Sequence, residues 1–161
     1  MKRPIFLLMS IVCLLGVGCV PSISKETKPV LENSVNTGTI LDLSNQGLTK
    51  VSQDVFKKTS LTELNLSNNQ LAGSLPGEIR FLSNLEVLDA SNNQMTGVPA
   101  EIGQLSHLRV LNLGNNQLTG LPLELGNLTS LETLDLRGNK YSQQDLSKIK
   151  GSLSNTRILT D

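Results

Sequence analysis

Apolar residues in this chain recur in one phrase, L-x-x-L-x-L-x-x-N-x-L, first complete at Leu61, Leu64, Leu66, Asn69 and Leu71. It returns as Leu85, Leu88, Ala90, Asn93 and Met95, then as Leu108, Leu111, Leu113, Asn116 and Leu118. A fourth copy runs Leu131, Leu134, Leu136, Asn139 and Tyr141, and the starts are 24, 23 and 23 residues apart. A worn copy precedes them, with Gly38, Leu41, Leu43, Gln46 and Leu48 in the five slots. A fixed period of this length predicts a stacked solenoid, each turn burying its apolar row against the next. Within each phrase the L-x-L core alternates at period two, which predicts a short parallel strand with its leucines turned into the stack. Five such strands span roughly 20 Å at the spacing of a sheet.

The segments between phrases read LPGEIRFLSNL (75–85), VPAEIGQLSHL (98–108) and LPLELGNLTSL (121–131). Pro76, Pro99 and Pro122 stand where a helical turn begins, a place that tolerates a missing N–H. Ile79, Ile102 and Leu125, then Leu82, Leu105 and Leu128, face the core. Gly103 and Gly126 are expected to end these turns in a left-handed cap. In the first arm Val51, Val55 and Phe56 supply the core. Ser142 to Asp145 form a capping box opening a helix of about two turns, with Leu146 and Ile149 inward and Gly151 as the stop. Thr156 to Leu159 then predict a closing strand.

These phrases resemble the leucine-rich repeat family over roughly residues 38 to 150. The resemblance implies an α/β fold, a right-handed solenoid with a short parallel sheet on the concave face and helical, 3-10 or loop arms on the convex face. The repeats fall near 38–60, 61–84, 85–107, 108–130 and 131–141, closed by a helix–strand cap over 142–161. In the family the slot-nine amides form an inward asparagine ladder, here Asn69, Asn93, Asn116 and Asn139. Removing a buried hydrogen-bonding partner costs about 1–3 kcal/mol, so Asn93→Ala is expected to destabilise and Asn92→Ala to do little.

The N-terminus differs in kind. Lys2 and Arg3 precede an apolar stretch from Ile5 to Val17, which ends at Gly18-Cys19. That is the layout of a secretory signal, short for a membrane span of about 20 apolar residues. Leu15 to Cys19 resembles a bacterial lipobox, with Cys19 as the lipidated residue and Gly16 departing from the usual leucine. The alternative is an ordinary signal or uncleaved anchor in which Cys19 is incidental. The two cysteines of the chain are Cys13 and Cys19, so a domain beyond them forms no disulfide within itself. Residues 1–19 are thus read as a signal and 20–37, polar with Pro21 and Pro29, as a tether ahead of the repeat domain at 38–161. Such a protein is expected in a bacterial envelope, at the outer membrane or cell surface where two membranes exist, with secretion as the alternative. Anchoring is through the N-terminal lipid, as stable attachment takes more than one acyl chain.

Charge balances at zero, with 14 basic and 14 acidic residues and no basic stripe, which disfavours nucleic acid. Aromatic residues are scarce, three Phe, one Tyr and no Trp, so no large aromatic site is expected. Between the strand leucines, the column Asp42, Asn65, Asp89, Asn112, Asp135 faces the concave surface, with like charges about 10 Å apart, near the Debye length. The preceding column reads Ile40, Glu63, Val87, Val110, Thr133, and the following one Ser44, Ser67, Ser91, Gly114, Arg137. This mildly acidic, amide-rich strip with its valine seam has the makeup of a surface for a protein or peptide, without an aromatic anchor. The competing reading is a solvated sheet face optimised for stacking. Phe81 is expected on the convex side, either flat on its neighbours or touching a partner.

Catalytic chemistry finds no support in the sequence. His107, the single histidine, has no evident acid or nucleophile beside it. Metal-ligand spacing and a phosphate-cradling glycine motif are both absent, and no cofactor is expected. Asn65-Leu66-Ser67 and Asn127-Leu128-Thr129 match a glycosylation pattern as products of the repeat. The expected function is therefore that of a monomeric, non-catalytic, lipid-anchored interaction module, adhesin-like or receptor-like, whose alternative is a scaffolding envelope lipoprotein without a dedicated ligand.

Overall fold

The computed structural model describes residues 39–161; the expected signal with Cys19, the expected tether and Gly38 lie outside the described residues. Six short strands form one parallel sheet: β1 (Ile40–Asp42), β2 (Glu63–Asn65), β4 (Val87–Asp89), β6 (Val110–Asn112), β7 (Thr133–Asp135) and β8 (Arg157–Leu159). Spatial order follows chain order, so each turn of the chain lays its strand beside the last. The register is the one the phrase dictates, with Leu41, Leu64, Leu88, Leu111, Leu134 and Ile158 side by side. Leu64, Leu88, Leu111 and Leu134 are buried, whereas Leu41 and Ile158, on the two edge strands, are only partly covered. A solenoid's end turns have one neighbour each, and this is the packing consequence.

The arms repeat a three-residue rhythm. Pro76 O accepts from Ile79 N, Ile79 O from Leu82 N, and Leu82 O from Leu85 N; the arms starting at Pro99 and Pro122 do the same. Apolar side chains at every third residue eclipse in a 3-10 helix, so a 3-10 turn aims all of them at the core where an α-helix would rotate them off it. The turns span Gly77–Phe81, Ala100–Gln104 and Leu123–Asn127. The prolines sit one residue earlier than the sequence placed them, as extended N-cap residues with φ between −62° and −70°. The first arm instead carries α1 (Gln53–Phe56), capped by the Ser52 hydroxyl and burying Val55 and Phe56.

Gly103 and Gly126 do not form left-handed caps. They lie inside the 3-10 turns, and their small size serves close approach: a Cβ on Gly103 would stand 2.3 Å from the Glu124 carbonyl oxygen of the next arm. Left-handed backbone occurs elsewhere, at Asn45, Asn68, Asn92 and Asn115, with φ of 54° to 57°, and at Gly138 with φ of 69°. Each precedes the slot-nine residue and turns the chain off its strand. The C-terminal cap forms as expected, with α2 (Gln143–Lys150) started by the Ser142 hydroxyl accepting from Asp145 N, and Leu146, Ile149 and Leu153 buried. Unforeseen is a second parallel pair, β3 (Ala72–Gly73), in the repeat that is one residue longer than its neighbours, with β5 (Gln94–Met95) of the following repeat.

Candidate functional site

The slot-nine amides form the ladder that stitches the turns. Asn93 Nδ2 donates to the carbonyls of Ala90 and Ser91 in its own turn and to Leu66 O in the preceding turn, while its Oδ1 accepts from Leu71 N at 3.0 Å. Asn69, Asn116 and Asn139 repeat the pattern. Asn69, Asn93 and Asn116 are buried; Asn139 is half-buried beside the last turn. These four groups are occupied by structure and turn away from solvent.

What faces out is set by the sheet. Ile40, Glu63, Val87, Val110 and Thr133 stand in one row, continued by Arg157, and Asp42, Asn65, Asp89, Asn112 and Asp135 in the next, continued by Leu159. Every Asp or Asn of the second row accepts the backbone N–H two residues on: Ser44 to Asp42, Ser67 to Asn65, Ser91 to Asp89, Gly114 to Asn112 and Arg137 to Asp135, all at 2.9–3.1 Å. A short side-chain acceptor therefore ends each strand and starts the turn toward the left-handed asparagine. The row has a structural duty that its sequence periodicity alone did not disclose.

Electrostatics divides the face into two halves. In the C-terminal half the Asp135 carboxylate is gripped by the Arg137 guanidinium, which holds its pKa below the usual carboxylate range and raises that of Arg137. At the edge of the face Arg109 bonds Glu132 at 2.8 Å and reaches Glu86 at 3.5 Å, which raises the Arg109 pKa. This three-member charge ladder was missed by the sequence reading, although its signal was present: Glu86, Arg109 and Glu132 each directly follow the first leucine of a phrase. In the N-terminal half Asp42 accepts the Ser44 N–H, which lowers its pKa. Asp89 accepts from the Ser91 hydroxyl at 2.6 Å and from the Asn112 amide at 3.2 Å.

Two shallow hollows open on the concave surface. One of about 330 Å³ lies over Ile40, Asp42, Glu63, Asn65, Val87 and Asp89. The other, about 370 Å³ and strongly polar, surrounds Gly114 with Asn92, Asn112, Asn115, Asp135 and Arg137 on its walls. A third, more apolar groove of about 380 Å³ lies on the flank between Val51, Leu71, Leu75 and Met95, and none of the candidate contact residues lines it. Phe81 is on the convex side, 48% exposed, and its ring lies under the Arg80 guanidinium at 4.7 Å. His107 bonds through Nδ1 to Ser83 O at 2.9 Å, as Asn84 bonds to Thr59 O one repeat earlier, so its place in the arm is a repeat position. Among the described residues, no group of His, Cys, Asp and Glu is arranged to hold a metal ion, and no helix is long and apolar enough to cross a membrane.

A family model described as a leucine-rich repeat region matches residues 25–160. Among solved structures, a leucine-rich repeat protein of Leptospira interrogans is 41% identical and superposes with a TM-score of 0.71, covering 74% of this chain and 30% of that one. The Arabidopsis receptor kinase HAESA, solved with the peptide hormone IDA and the co-receptor SERK1, is 35% identical with a TM-score of 0.61, covering 69% of this chain and 19% of that one. Among curated proteins, the fission yeast Ccr4 exoribonuclease subunit is 52% identical over 52 residues, which are 32% of this chain and 7% of that protein. The chain thus spans less than a third of the length of each of these relatives.

Proposed function

This chain belongs to the leucine-rich repeat family, and we propose that it is a non-catalytic interaction module that takes a protein or peptide on its concave sheet face. The observation that carries this reading is a division of labour among side chains. Leucines and ladder asparagines are consumed by stacking, while the row from Ile40 to Thr133 projects from a hydrogen-bonded sheet with no packing role of its own. A hydrogen-bonded sheet presents such side chains without a backbone ordering cost on binding, which favours recognition. The peptide-bound state of HAESA supports the class of partner.

In the same proposal the module is monomeric, exported and held by a lipid on Cys19 at a bacterial envelope, where it serves as an adhesin or receptor-like binder. Support comes from Lys2-Arg3, the apolar run to Val17 and the lipobox-like Leu15 to Cys19, and from the Leptospira relative being bacterial. Intact mass of the protein recovered from membranes tests this directly. Acyl mass on Cys19, lost with membrane retention in Cys19→Ser, is the expected result; unchanged retention without acyl mass refutes the anchor.

A second reading, a scaffolding lipoprotein without a ligand, is favoured by the strand-ending duty of Asp42, Asn65, Asp89, Asn112 and Asp135. Pull-down from envelope extracts with the natural chain and with an Asp89→Lys, Asn112→Lys double variant separates the two. Partners lost in the double variant support the binding face; partners captured equally argue against it.

A further inference from the structure

We propose that the N-terminal half of the concave face, strands β1, β2 and β4, docks an extended partner segment in which Lys or Arg alternates with aliphatic residues. This rests on the concave-face reading above and names the chemistry of the partner. The surface is an unpartnered sheet face laid out as a checkerboard. Ile40 and Val87 flank Glu63 in one row, and Asp42 and Asp89 flank Asn65 in the next. Ile40 is 60% exposed, the most exposed large apolar side chain among the described residues, and Val87 is half-exposed; together they floor the hollow of about 330 Å³. Two strand spacings, about 10 Å, separate Ile40 from Val87 with Glu63 between them in the row, so each aliphatic contact lies beside a carboxylate.

The charges choose the rest of the partner. Glu132 and Asp135, in the C-terminal half, each have an arginine of this chain beside them, and Glu86 shares Arg109. Asp42, Glu63 and Asp89 have no cation within ion-pair distance among the described residues. The stretches 40–44, 63–67 and 87–91 contain no Lys or Arg. Three carboxylates without counter-ions around an aliphatic floor repel anionic partners, gain less from merely polar ones and attract a cationic, apolar one.

The test uses the full chain and a fluorescein-labelled peptide, Lys-Val-Lys-Val-Lys-Val-Lys, with Glu-for-Lys and Ser-for-Val versions as controls, read by anisotropy. The expected result is binding of the Lys-Val peptide that weakens with salt and is at least about tenfold tighter than either control. Glu63→Lys with Asp89→Lys should abolish it and gain affinity for the Glu-Val peptide, a gain that also certifies folding. Gln104→Lys, exposed on the convex arm, should leave it unchanged within about twofold. If the Glu-Val or Lys-Ser peptide binds equally well and is sensitive to Glu63→Lys, the partner chemistry is wrong although the concave site stands. If binding is indifferent to every concave variant, the concave reading itself falls. If Lys25→Glu with Lys28→Glu tightens peptide binding about tenfold, the occupant is this chain's own N-terminal segment and the proposal of a foreign partner is overturned.

Discussion

Asn115 Nδ2 donates to Asn92 Oδ1 at 2.9 Å, across one repeat, and both residues hold left-handed backbone with φ of 54°. The paired asparagines of the three middle turns, 68/69, 92/93 and 115/116, therefore have two different roles. The second, as in Asn93 or Asn116, is the buried ladder; the first is the residue type that best tolerates positive φ short of glycine. Position 92 is thus no idle neighbour of the ladder, as the phrase alone suggested.

Substitutions at 92 and 93 should separate these roles by mechanism. Asn93→Ala leaves buried carbonyls and an N–H without partners and should cost about 1–3 kcal/mol in urea unfolding. Asn92→Ala should cost about 1 kcal/mol through backbone strain, and Asn92→Gly should recover most of it, because glycine accepts positive φ freely. Equal losses for Asn92→Ala and Asn92→Gly would mean that the cross-repeat amide bond, and not the backbone, sets the requirement.

Two glycines should respond in opposite directions to alanine. At Gly103 the new Cβ would meet the Glu124 carbonyl oxygen at 2.3 Å, so the adjoining arms must part, a cost of about 1–3 kcal/mol. At Gly97 nothing stands within 4 Å of a new Cβ and the backbone is not left-handed. Gly97→Ala should be neutral or stabilise by up to about 1 kcal/mol by narrowing the unfolded ensemble. Thermal melts of the two variants against the natural chain read the contrast.

Acid should weaken the C-terminal half of the sheet. Because Arg137 and the Arg137 N–H hold the Asp135 pKa below its unfolded value, their stabilisation is fully present above the ordinary carboxylate pKa of about 4. It is lost as pH falls through the lowered folded value, where the carboxylate takes up a proton. Melting temperature should therefore drop below about pH 4, and Asp135→Asn should flatten that part of the profile while lowering stability at neutral pH. An unaltered profile in Asp135→Asn would assign acid sensitivity to other carboxylates.

Of the phenylalanines in the repeat domain, Phe56 is a core residue and Phe81 a surface one. Phe56 is 2% exposed in α1, and Phe56→Ala should cost about 3–5 kcal/mol. Phe81 is covered on one side by Arg80, and Phe81→Ala should change stability by no more than about 0.5–1 kcal/mol. A partner lost from Phe81→Ala with folding intact would make the convex side a contact surface.

The phrase by itself determined the strands, their parallel order and their register, because a period-two core repeated at a constant interval admits one way of burying every leucine. It also determined the two outward rows, since strand geometry leaves alternate residues no other direction, while the ladder followed from the family resemblance and the C-terminal helix from Ser142 and the spacing of Leu146 and Ile149. Tertiary structure decided what depends on distances between turns. Gly103 is required by the approach of the Glu124 carbonyl, and β3 of the longer repeat pairs with β5 of the next. The carboxylates were also legible one by one, but their counter-ions were not. Arg109 and Arg137 stand beside Glu132 and Asp135, whereas Asp42, Glu63 and Asp89 meet no cation among the described residues. A sequence lists charges along the chain, while ion pairing falls off with distance in space, and only the stacked turns set those distances.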